Sequence, residues 1–279
     1  MLVFEDIKSL QSHLAGYCQK KSIGFVPTMG ALHKGHLSLI NTSISHNDYT
    51  VASIFVNPTQ FNNSNDLKNY PRTISNDLAL LKEVGCDIVF IPTAAEMYKD
   101  NLTSEKFDFD GLELPMEGAF RLGHFDGVGT IVKRFFQIIK PTRAYFGEKD
   151  FQQLQIIRKM VEKQKLKVQI VPCNIYRESD GLAMSSRNAL LSKKHRLAAP
   201  FIYHVLKEIQ SNFTELGVAK SQQFVKNKFE THNLLKLEYF EIAKESTLLP
   251  AKSITPQDNL RAFIAVFAGD IRLIDNIQL

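Results

Sequence analysis

The sequence Ile-Gly-Phe-Val-Pro-Thr-Met-Gly-Ala-Leu-His-Lys-Gly-His, residues 23–36, carries the strongest fold signal in this chain. Its first four residues form an apolar run that predicts a short strand. Pro27 is expected to end that strand because proline cannot donate to a ladder. Residues 28–30 predict a tight turn, and a helix is expected to begin near His33 and to run through Ile40. The stretch therefore predicts strand, turn and helix in close succession.

Two histidines give this turn its chemical character. His33 and His36 are three residues apart, so they share one face of a helix. They fall in the first turn, where free backbone N–H groups and the helix dipole favour an anion. Gly35 disfavours a helix but leaves the backbone bare for a ligand. Together these features predict a nucleotide phosphate site.

Plainer interpretations of the histidine pair stand beside this one. A histidine in a helix is usually a surface or capping residue, and two at this spacing also arise by chance. The pair could also be two ligands of a metal, which needs at least a third protein ligand. The sequence has no HExxH motif and no cysteine pair beside them. The spacing alone leaves the three interpretations open.

The composition bounds the class of protein. A chain of 279 residues that is 44% apolar suits one large or two modest domains with a buried core. The net charge of +5 fits anionic substrates and does not by itself imply nucleic acid. Cys18, Cys86 and Cys173 lie in or beside apolar segments, which predicts buried thiols. No signal peptide or transmembrane stretch is visible, so we expect a cytoplasmic protein without a membrane partner.

Apolar runs alternate with helical patterns through the first part of the chain. The expected strands are residues 23–26, 49–56, 86–91, 144–146 and 168–175. The expected helices are residues 5–20, 33–40, 77–84, 125–139 and 151–165, and polar residues 62–69 are expected to form a loop. This alternation predicts an α/β fold with a Rossmann-like parallel sheet. Ligands bind such sheets at the carboxyl ends of the strands.

The remaining segments are less regular. Phe107, Phe109, Leu112 and Leu114 alternate in a way that predicts an edge strand. Beyond residue 177 the expected order is a helix capped by Ser192 and interrupted by Pro200, a helix at 221–232, and strands at 237–243, 261–266 and 271–277. We therefore expect a first domain at residues 1–176 and a smaller α+β C-terminal domain at 177–279.

Cationic and hydroxyl side chains suggest further phosphate contacts. Lys149 follows a predicted strand end, where a point charge suits phosphate, although a surface lysine paired with a neighbouring carboxylate is the commoner case. Ser185, Ser186 and Arg187 together suit a polyphosphate, although either serine could simply cap a helix. The chain has no Ser-His-Asp order, no P-loop and no GxGxxG.

Two glutamines stand in loops at predicted strand ends. Gln60 and Gln153 each carry an amide that can grip a carboxylate and a hydroxyl together. Each glutamine alone is a weak signal, and the pair gains meaning only beside the motifs described next.

Six blocks in order carry a resemblance to a known family. The histidine stretch resembles the HxGH signature of the adenylyl-transferring α/β superfamily. The other blocks are Asn-Pro-Thr-Gln-Phe at 57–61, Tyr-Pro-Arg-Thr at 70–73, Gly-His-Phe-Asp-Gly-Val at 123–128, Gly-Glu-Lys-Asp-Phe-Gln-Gln at 147–153, and Asp-Gly-Leu-Ala-Met-Ser-Ser-Arg-Asn at 180–188. Together they resemble the pantoate–β-alanine ligases, densely up to about residue 192. Leu122 and Thr59 depart from the family pattern without removing a functional group.

The resemblance implies a reaction and a set of residues. In this family the pantoate carboxylate attacks the α-phosphate of ATP, and the β-alanine amine then attacks the acyl carbon of the adenylate, so pyrophosphate and AMP leave in turn. Neither step uses a protein nucleophile, and catalysis is expected from orientation and electrostatic stabilisation. The implied ATP-binding residues are Met29, Gly30, Ala31, Leu32, His33, Lys34, Gly35, His36, Gly147, Glu148, Lys149, Asp150, Tyr176, Met184, Ser185, Ser186 and Arg187.

Narrower roles follow from the same resemblance. The implied catalytic residues are His33, His36, Lys149 and Arg187, with His36 as the proton donor. Gln60 and Gln153 would bind pantoate, and Gln60 also β-alanine. Mg²⁺ would bridge phosphate oxygens, with Asp77 as the candidate to support it. A homodimer and no nucleic-acid partner are also implied.

Three rival functions remain distinguishable. A mononucleotide adenylyltransferase also uses HxGH but would not need the Gln60 and Gln153 pair. A tRNA synthetase would need an RNA-binding domain. The region formed by the last hundred or so residues is small for that purpose and is not strongly basic. A non-catalytic RNA-binding module would need exposed aromatic residues interleaved with Lys and Arg. The phenylalanines here fall mainly on apolar faces.

Overall fold

A six-stranded, all-parallel sheet organises the first part of the molecule. The computed structural model describes residues 1–16, 21–61, 64–99, 101–255 and 257–279, and only the backbone of 64–66. The strands are β1 (Leu2–Phe4), β2 (Ile23–Thr28), β3 (Tyr49–Ile54), β4 (Ile88–Phe90), β5 (Arg143–Gly147) and β6 (Gln169–Cys173). They lie in the order β1-β4-β3-β2-β5-β6, with β2 and β3 at the centre. The expected Rossmann-like α/β architecture is confirmed.

The central strand β2 extends past the proline that was expected to end it. Pro27 pairs with Ser53 of β3, and β2 ends at Thr28. The Thr28 carbonyl accepts from the Phe55 N–H, so Thr28 faces β3 and Pro27 faces the β5 side. The β2–β5 register ends at Phe25, paired with Ala144. The missing proline N–H therefore falls where this register requires no donor.

Helices cover the sheet and bury its apolar residues. Their bounds are α1 (Ile7–Leu14), α2 (Lys34–His46), α3 (Ser64–Asn69), α4 (Ile74–Glu83), α5 (Ala94–Tyr98), α6 (Glu117–Phe120), α7 (His124–Ile139) and α8 (Phe151–Lys163). Helix α7 packs against the sheet through Phe135, which contacts the rings of Phe25, Phe55 and Phe90. Buried phenylalanines thus hold the sheet that supports the site.

Three expectations for this part of the chain need correction or limitation. Residues 64–69, expected as loop, form α3, so a short polar stretch is helical here despite weak propensity. The first helix begins after the Asp6 cap and ends at Leu14, short of the expected residue 20. Tyr17 and Cys18, which figured in that helix and in the buried thiols, lie outside the described residues. Cys86 and Cys173 are buried free thiols, as expected.

The predicted edge strand at residues 107–114 is wrong. Phe109 and Leu112 are buried in the core, and the segment has no strand. A strand would bond its backbone N–H groups to a neighbouring strand. Here the Asp126 carboxylate accepts from the Phe107 N–H instead, at 3.2 Å. The alternation therefore reflects an irregular segment that turns Phe109 and Leu112 inward, while Leu114 is 68% exposed.

The C-terminal part contains a separate antiparallel sheet. Its strands are β7 (Leu235–Lys244), β8 (Leu260–Ala268) and β9 (Ile271–Gln278), in that order, with helices α9 (Lys193–Ala198) and α10 (Phe201–Glu230) before them. Ser192 caps α9 as expected. Pro200 precedes α10, which continues to Glu230 with a break only at Gly217, where φ is +66°. The expected helix at 221–232 is therefore the second half of α10.

The strand order creates a natural place for a ligand. From β2 the chain passes to β3 on one side, and it later returns as β5 on the other side. The carboxyl ends of β2 and β5 are thus neighbours at a point where the strand order reverses, which is where open α/β sheets bind ligands. Across the described ranges, every helix falls short of the length and apolar character that spanning a membrane would require.

Candidate functional site

The histidine turn, residues 28–36, leaves β2 through a backbone conformation that glycine adopts readily and other residues rarely adopt. Gly30 has φ of +81°, and a Cβ there would lie 3.0 Å from Asp77 Oδ2 and 3.1 Å from Ile54 Cγ2. The next residue, Ala31, is also left-handed, with φ of +49°. The turn is therefore strained and needs external support.

Asp77 supplies that support. Its carboxylate is fully buried and accepts from the N–H groups of Ala31 at 3.0 Å and Leu32 at 2.8 Å, and from the Thr73 hydroxyl at 3.1 Å. Both of its oxygens hold the turn, and the expectation that Asp77 supports Mg²⁺ stays a prediction. Among the residues that the structure describes, no group of three or more His, Cys, Asp or Glu could hold a metal.

The two histidines lie against each other at the start of α2. Their rings stack with centroids 4.0 Å apart, and His33 caps the helix by accepting from the Gly35 N–H at 3.2 Å. A Cβ on Gly35 would lie 2.9 Å from His33 Cε1. Gly35 is thus needed to seat the His33 ring, and its backbone is less bare than the sequence suggested, since the Met184 sulfur also lies 3.3 Å from its nitrogen.

Both imidazoles are neutral near pH 7. Burial, then the charge of Lys149, lowers the pKa of His33 to about 4. Burial, then His33 and Lys149, lowers the pKa of His36 to about 3. His36 Nδ1 is buried and has no hydrogen-bond partner in the described part of the chain. A neutral ring with an unsatisfied nitrogen is suited to bind a ligand group.

The lysine turn, Glu148–Asp150, follows β5 and leads into α8. The Lys149 ammonium lies 3.6 Å from Asp150 Oδ2, a loose ion pair, and its side chain is 19% exposed. The expected alternative, a lysine paired with a neighbouring carboxylate, therefore holds, yet Lys149 also lines the cavity described below. Because β5 neighbours β2, the lysine turn stands beside the histidine turn.

The serine loop, residues 177–188, approaches from the C-terminal part. Ser185 caps the short 3₁₀ helix Ser186–Leu190 by accepting from the Arg187 N–H at 3.3 Å. The capping interpretation of Ser185 is therefore correct, and the residue lines the cavity as well. Just before the loop, the Tyr176 carbonyl accepts from the Met184 N–H at 3.0 Å. The loop thus closes back on itself beside α2.

These three segments enclose a cavity of about 240 Å³. The expected site residues that line it are Met29, His33, Gly35, His36, Gln60, Gly147, Lys149, Asp150, Gln153, Tyr176, Met184, Ser185, Ser186 and Arg187. Gly30, Ala31 and Leu32 instead shape the turn behind it, Lys34 is exposed, and Glu148 turns toward Arg261. The structure therefore brings together most residues that the sequence singled out.

A smaller chamber of about 100 Å³ adjoins this cavity and shares Gln60, Lys149 and Gln153 with it. Its other polar lining includes Glu117, Arg121 and His124, which the sequence analysis left without a role. Each of the three makes a hydrogen bond to a residue far away in the sequence. His124 Nδ1 lies 2.8 Å from the Gln60 carbonyl, and the Arg121 guanidinium donates to the same carbonyl at 3.3 Å. Burial, then Arg121, lowers the pKa of His124 to about 4.

Glu117 connects the chamber to the C-terminal sheet. Its buried carboxylate accepts from both Arg272 terminal nitrogens, at 2.8 and 2.7 Å, and from the Tyr239 hydroxyl at 3.0 Å. The motif at residues 123–128 was the signal that could have found His124. No local pattern marked Glu117 or Arg121, because their hydrogen-bond partners lie far away in the sequence and their own i,i+4 ion pair is loose, at 3.8 Å.

Comparison with known proteins gives a consistent result over the whole chain. The family model for pantoate-beta-alanine ligase matches residues 2–278. The pantothenate synthetase of Flavobacterium psychrophilum is 51% identical over 281 residues, covering all of both chains. The crystal structure of pantothenate synthetase from Thermus thermophilus has a TM-score of 0.93 at 38% identity, covering 100% of this chain and 99% of that one.

A second solved structure carries ligands. The pantoate-beta-alanine ligase from Francisella tularensis, complexed with beta-gamma ATP and beta-alanine, has a TM-score of 0.83 at 35% identity and covers 100% of this chain and 97% of its own. The fold, the cavity at the switch point and a family match from end to end agree, and the chain belongs to the pantoate–β-alanine ligase family.

Proposed function

We propose that this protein condenses pantoate with β-alanine at the expense of ATP, through a pantoyl adenylate. The observation that carries the proposal is the cavity where the histidine turn, the lysine turn and the serine loop meet beside Gln60 and Gln153. The relative from Francisella tularensis, complexed with beta-gamma ATP and beta-alanine, supports ATP and β-alanine as substrates. Family membership supports the overall ligase reaction.

ATP would lie across the histidine and lysine turns. The start of α2 offers backbone N–H groups toward the phosphates, where the helix dipole favours negative charge. Lys149 would add a cation from the lysine turn, while Ser185, Ser186 and Arg187 would contact the outer phosphates from the serine loop. The Tyr176 carbonyl is engaged by Met184, so a backbone contact with adenine would use the remaining polar groups of residue 176.

Pantoate would occupy the end of the cavity that the two glutamines line. Gln60 and Gln153 each offer an amide that can donate to a carboxylate and accept from a hydroxyl. In the first step a pantoate carboxylate oxygen bonds to the α-phosphorus and pyrophosphate leaves. In the second, the uncharged β-alanine amine bonds to the acyl carbon, the acyl–oxygen bond breaks, AMP leaves, and the amine loses a proton. Gln60, shared with the smaller chamber, would also contact β-alanine.

The proposed chemistry needs no protein nucleophile. Burial raises the pKa of the Cys86 thiol to about 12 and that of Cys173 to about 11, and neither residue lines the cavity. Orientation and electrostatic stabilisation remain as the catalytic means. His36 is neutral in the free protein, and a bound phosphate would favour its protonated form, which suits the proposed role of proton donor to the leaving pyrophosphate.

Mg²⁺ fits this site as a partner of the nucleotide. The described residues contain no acidic or histidine cluster that could hold a metal by themselves, and both oxygens of Asp77 hold the histidine turn. Mg²⁺ keeps waters and binds phosphate oxygens readily. We propose that it enters with ATP and neutralises phosphate charge, and Asp77 stays the candidate to support it.

Three wider proposals accompany the function. Division into units at residues 1–176 and 177–279 is supported by an apolar core whose members all lie from Leu182 onward. Ala243, Leu248 and Phe263 of the second unit pack instead into the core of the first. A homodimer through the first unit rests on family resemblance, and light scattering at micromolar concentration would test it, a monomeric mass overturning it. A cytoplasmic location is proposed from the sequence alone, and fractionation of cells that produce the protein would test it.

One assay tests the proposed function. Purified protein is given pantoate, ATP, Mg²⁺ and β-alanine, and AMP release is followed with each substrate omitted in turn. We expect sustained AMP release only when all are present. A mononucleotide adenylyltransferase would instead consume ATP with nicotinamide mononucleotide and release no AMP. Absence of β-alanine-dependent AMP release would overturn the proposal.

A further inference from the structure

The last strand of the chain, β9, contributes two adjacent buried polar residues that the proposed reaction does not use. Asp275 and Asn276 are 4% and 1% exposed. Successive strand residues point to opposite faces of a sheet. The two side chains accordingly contact different segments, and each of those segments forms part of the proposed ATP site.

Asn276 holds the lysine turn by its main chain. Its side-chain amide donates to the carbonyl oxygens of Glu148 and Lys149, both at 2.9 Å. Its amide oxygen accepts from Arg261 Nη1 at 2.6 Å. Because arginine can only donate, this contact fixes which end of the amide is oxygen and directs both amide hydrogens at the turn. Both donor positions of the side chain are thus used on one turn.

The arginine behind Asn276 is itself firmly placed. Arg261 is 5% exposed, its guanidinium lies 4.1 Å from the ring centre of Phe151, and it pairs with Glu245 at 2.8 Å. Phe151 begins α8 immediately after the lysine turn. Arg261 therefore fixes Asn276 and the start of α8 together, which leaves the lysine turn little freedom.

Asp275 holds the serine loop in a similar way. Its carboxylate accepts from Arg177 Nη1 at 2.6 Å and Nη2 at 2.9 Å, a bidentate ion pair. Arg177 lies 3.8 Å above the Tyr203 ring and also donates to the Gly181 carbonyl at 3.1 Å. Arg177 begins the serine loop, so the ion pair fixes the base from which Ser185 and Arg187 reach the cavity.

We infer that Asp275 and Asn276 form a positioning pair, in which adjacent residues of β9 set the distance between the lysine turn and the serine loop. The inference rests on the proposed function, because it assumes that these two segments bind one ATP. Both residues also line the smaller chamber, but the proposed function assigns neither of them a contact with substrate. They act through Lys149 on one side and the serine loop on the other.

The pair is expected to matter because the reaction depends on orientation. A displacement of about 1 Å in a positioning group can lower the rate on the order of 10²-fold. Loss of the Asn276 amide would leave two main-chain carbonyls without their donor and allow the lysine turn to shift. The shift would affect use of ATP more than use of β-alanine, which reacts after pyrophosphate has left.

The test compares Asn276→Asp with Asn276→Ala. Aspartate keeps an oxygen for Arg261, which holds the new carboxyl ionised, but turns an acceptor toward two carbonyl oxygens. Pantoate-dependent exchange of pyrophosphate into ATP measures the first step alone, and AMP release at saturating ATP gives the KM for β-alanine. We expect kcat/KM for ATP to fall on the order of 10²-fold in Asn276→Asp and less in Asn276→Ala, with the KM for β-alanine unchanged.

Gln210→Ala is the matched control. The Gln210 side-chain amide donates to the Gln278 carbonyl at 2.7 Å. The variant therefore removes a hydrogen bond from an amide to β9 without touching the lysine turn. We expect it to keep the parent's kinetics. Tm is measured for every protein, and kinetics are run well below the lowest value.

The outcomes separate the alternatives. Parent-like kcat/KM for ATP in Asn276→Asp, or equal losses for ATP and β-alanine that follow the fall in Tm, would overturn the positioning role. If Asn276→Asp is not recovered folded, Asn276→Ala decides by the same selectivity for ATP. A parent enzyme without exchange or AMP release would instead overturn the proposed function itself, so the two failures are distinguishable.

Discussion

The histidine turn and the serine loop line the same cavity but are held by different means. The histidine turn takes its shape from a glycine, a neighbouring strand and the buried Asp77, all within the first 77 residues. The serine loop is held by ion pairs, with Arg177 bound to Asp275 near the end of the chain and Arg196 bound to Glu178. One segment is fixed by local backbone constraint, the other by long-range charge.

This difference has a functional consequence. A turn fixed by buried hydrogen bonds keeps its geometry whether or not ligand is present, which suits the residues proposed to face the reacting phosphate. The buried pair of Arg177 and Asp275 fixes the base of the serine loop, but the part held by the partly exposed Arg196 pairs can be displaced at lower cost. The comparison predicts that changes to the histidine turn act strongly on chemistry, while loss of the partly exposed ion pairs that hold the serine loop acts weakly and depends on salt.

The largest effect is expected from His36→Ala. Loss of a proton donor beside the phosphate should lower kcat for pyrophosphate exchange by roughly 10²–10⁴-fold, with little change in Tm. His46→Ala, at the other end of α2, is the control and should keep the parent's activity. Exchange kinetics of His36→Ala equal to the parent's would contradict the assigned role.

The glutamine pair is expected to give the next largest effect. Gln60→Ala and Gln153→Ala should each weaken the binding of pantoate by roughly 1–3 kcal/mol, because a buried carboxylate loses an amide partner. The binding of ATP should be nearly unaffected. Substrate titrations in the exchange assay measure both KM values. Gln155→Ala, whose amide binds the Glu245 carbonyl instead, serves as control. A raised KM for ATP with an unchanged KM for pantoate would show that the assignment is wrong.

Asp77→Asn tests the backbone support of the histidine turn. Because hydrogen bonds to a charged acceptor are the stronger ones, we expect the free energy of unfolding to fall by about 1.5–3 kcal/mol and exchange activity to fall with it. Asp87→Asn is a matched control, since Asp87 accepts from the Thr50 N–H at 2.8 Å away from the turn. Equal activity loss in both variants would mean that Asp77 acts on stability alone.

The sequence predicted the histidine turn because every signal for it lies within fourteen residues. Asn276 and Glu117 escaped prediction because their partners are remote: Arg272 stands 155 positions from Glu117, and Asn276 reaches Lys149 across 127 positions. Residues 107–114 misled for a related reason. Their apolar alternation matches a strand, but the Asp126 carboxylate and the Thr130 hydroxyl, which accepts from the Glu105 N–H, satisfy this segment from a helix.

Acid should destabilise the folded protein through the two buried histidines of the histidine turn. The pKa values of His33 and His36 are lowered to about 4 and about 3 by burial, from an ordinary value of 6.5. The unfolded chain therefore binds more protons than the folded chain in this window, so stability falls as the pH falls below 6.5 toward 4. Tm measured across this range should fall less steeply for His36→Ala than for the parent. An equal slope would contradict the buried, neutral state of His36.

The smallest effect is expected from Arg196→Ala, which loosens the serine loop without touching the cavity. Arg196 pairs with Glu178 at 2.7 Å and Asp180 at 2.6 Å, and its side chain is 30% exposed. Such pairs contribute about 0–1 kcal/mol and weaken as salt screens them. We expect a modest rise in the KM for ATP at low salt, with kcat for exchange unchanged and the difference from the parent vanishing at high salt.

Salt dependence is what makes this last variant informative. If the serine loop were fixed by its backbone, as the histidine turn is, Arg196→Ala would behave like the parent at every ionic strength. If the loop carried the reacting geometry, kcat would fall and high salt would not restore it. Lys226→Ala, which removes a surface pair with Glu230 far along α10, controls for general effects of lost charge. Only a KM change that salt abolishes agrees with a loop positioned by charge and a turn positioned by its backbone.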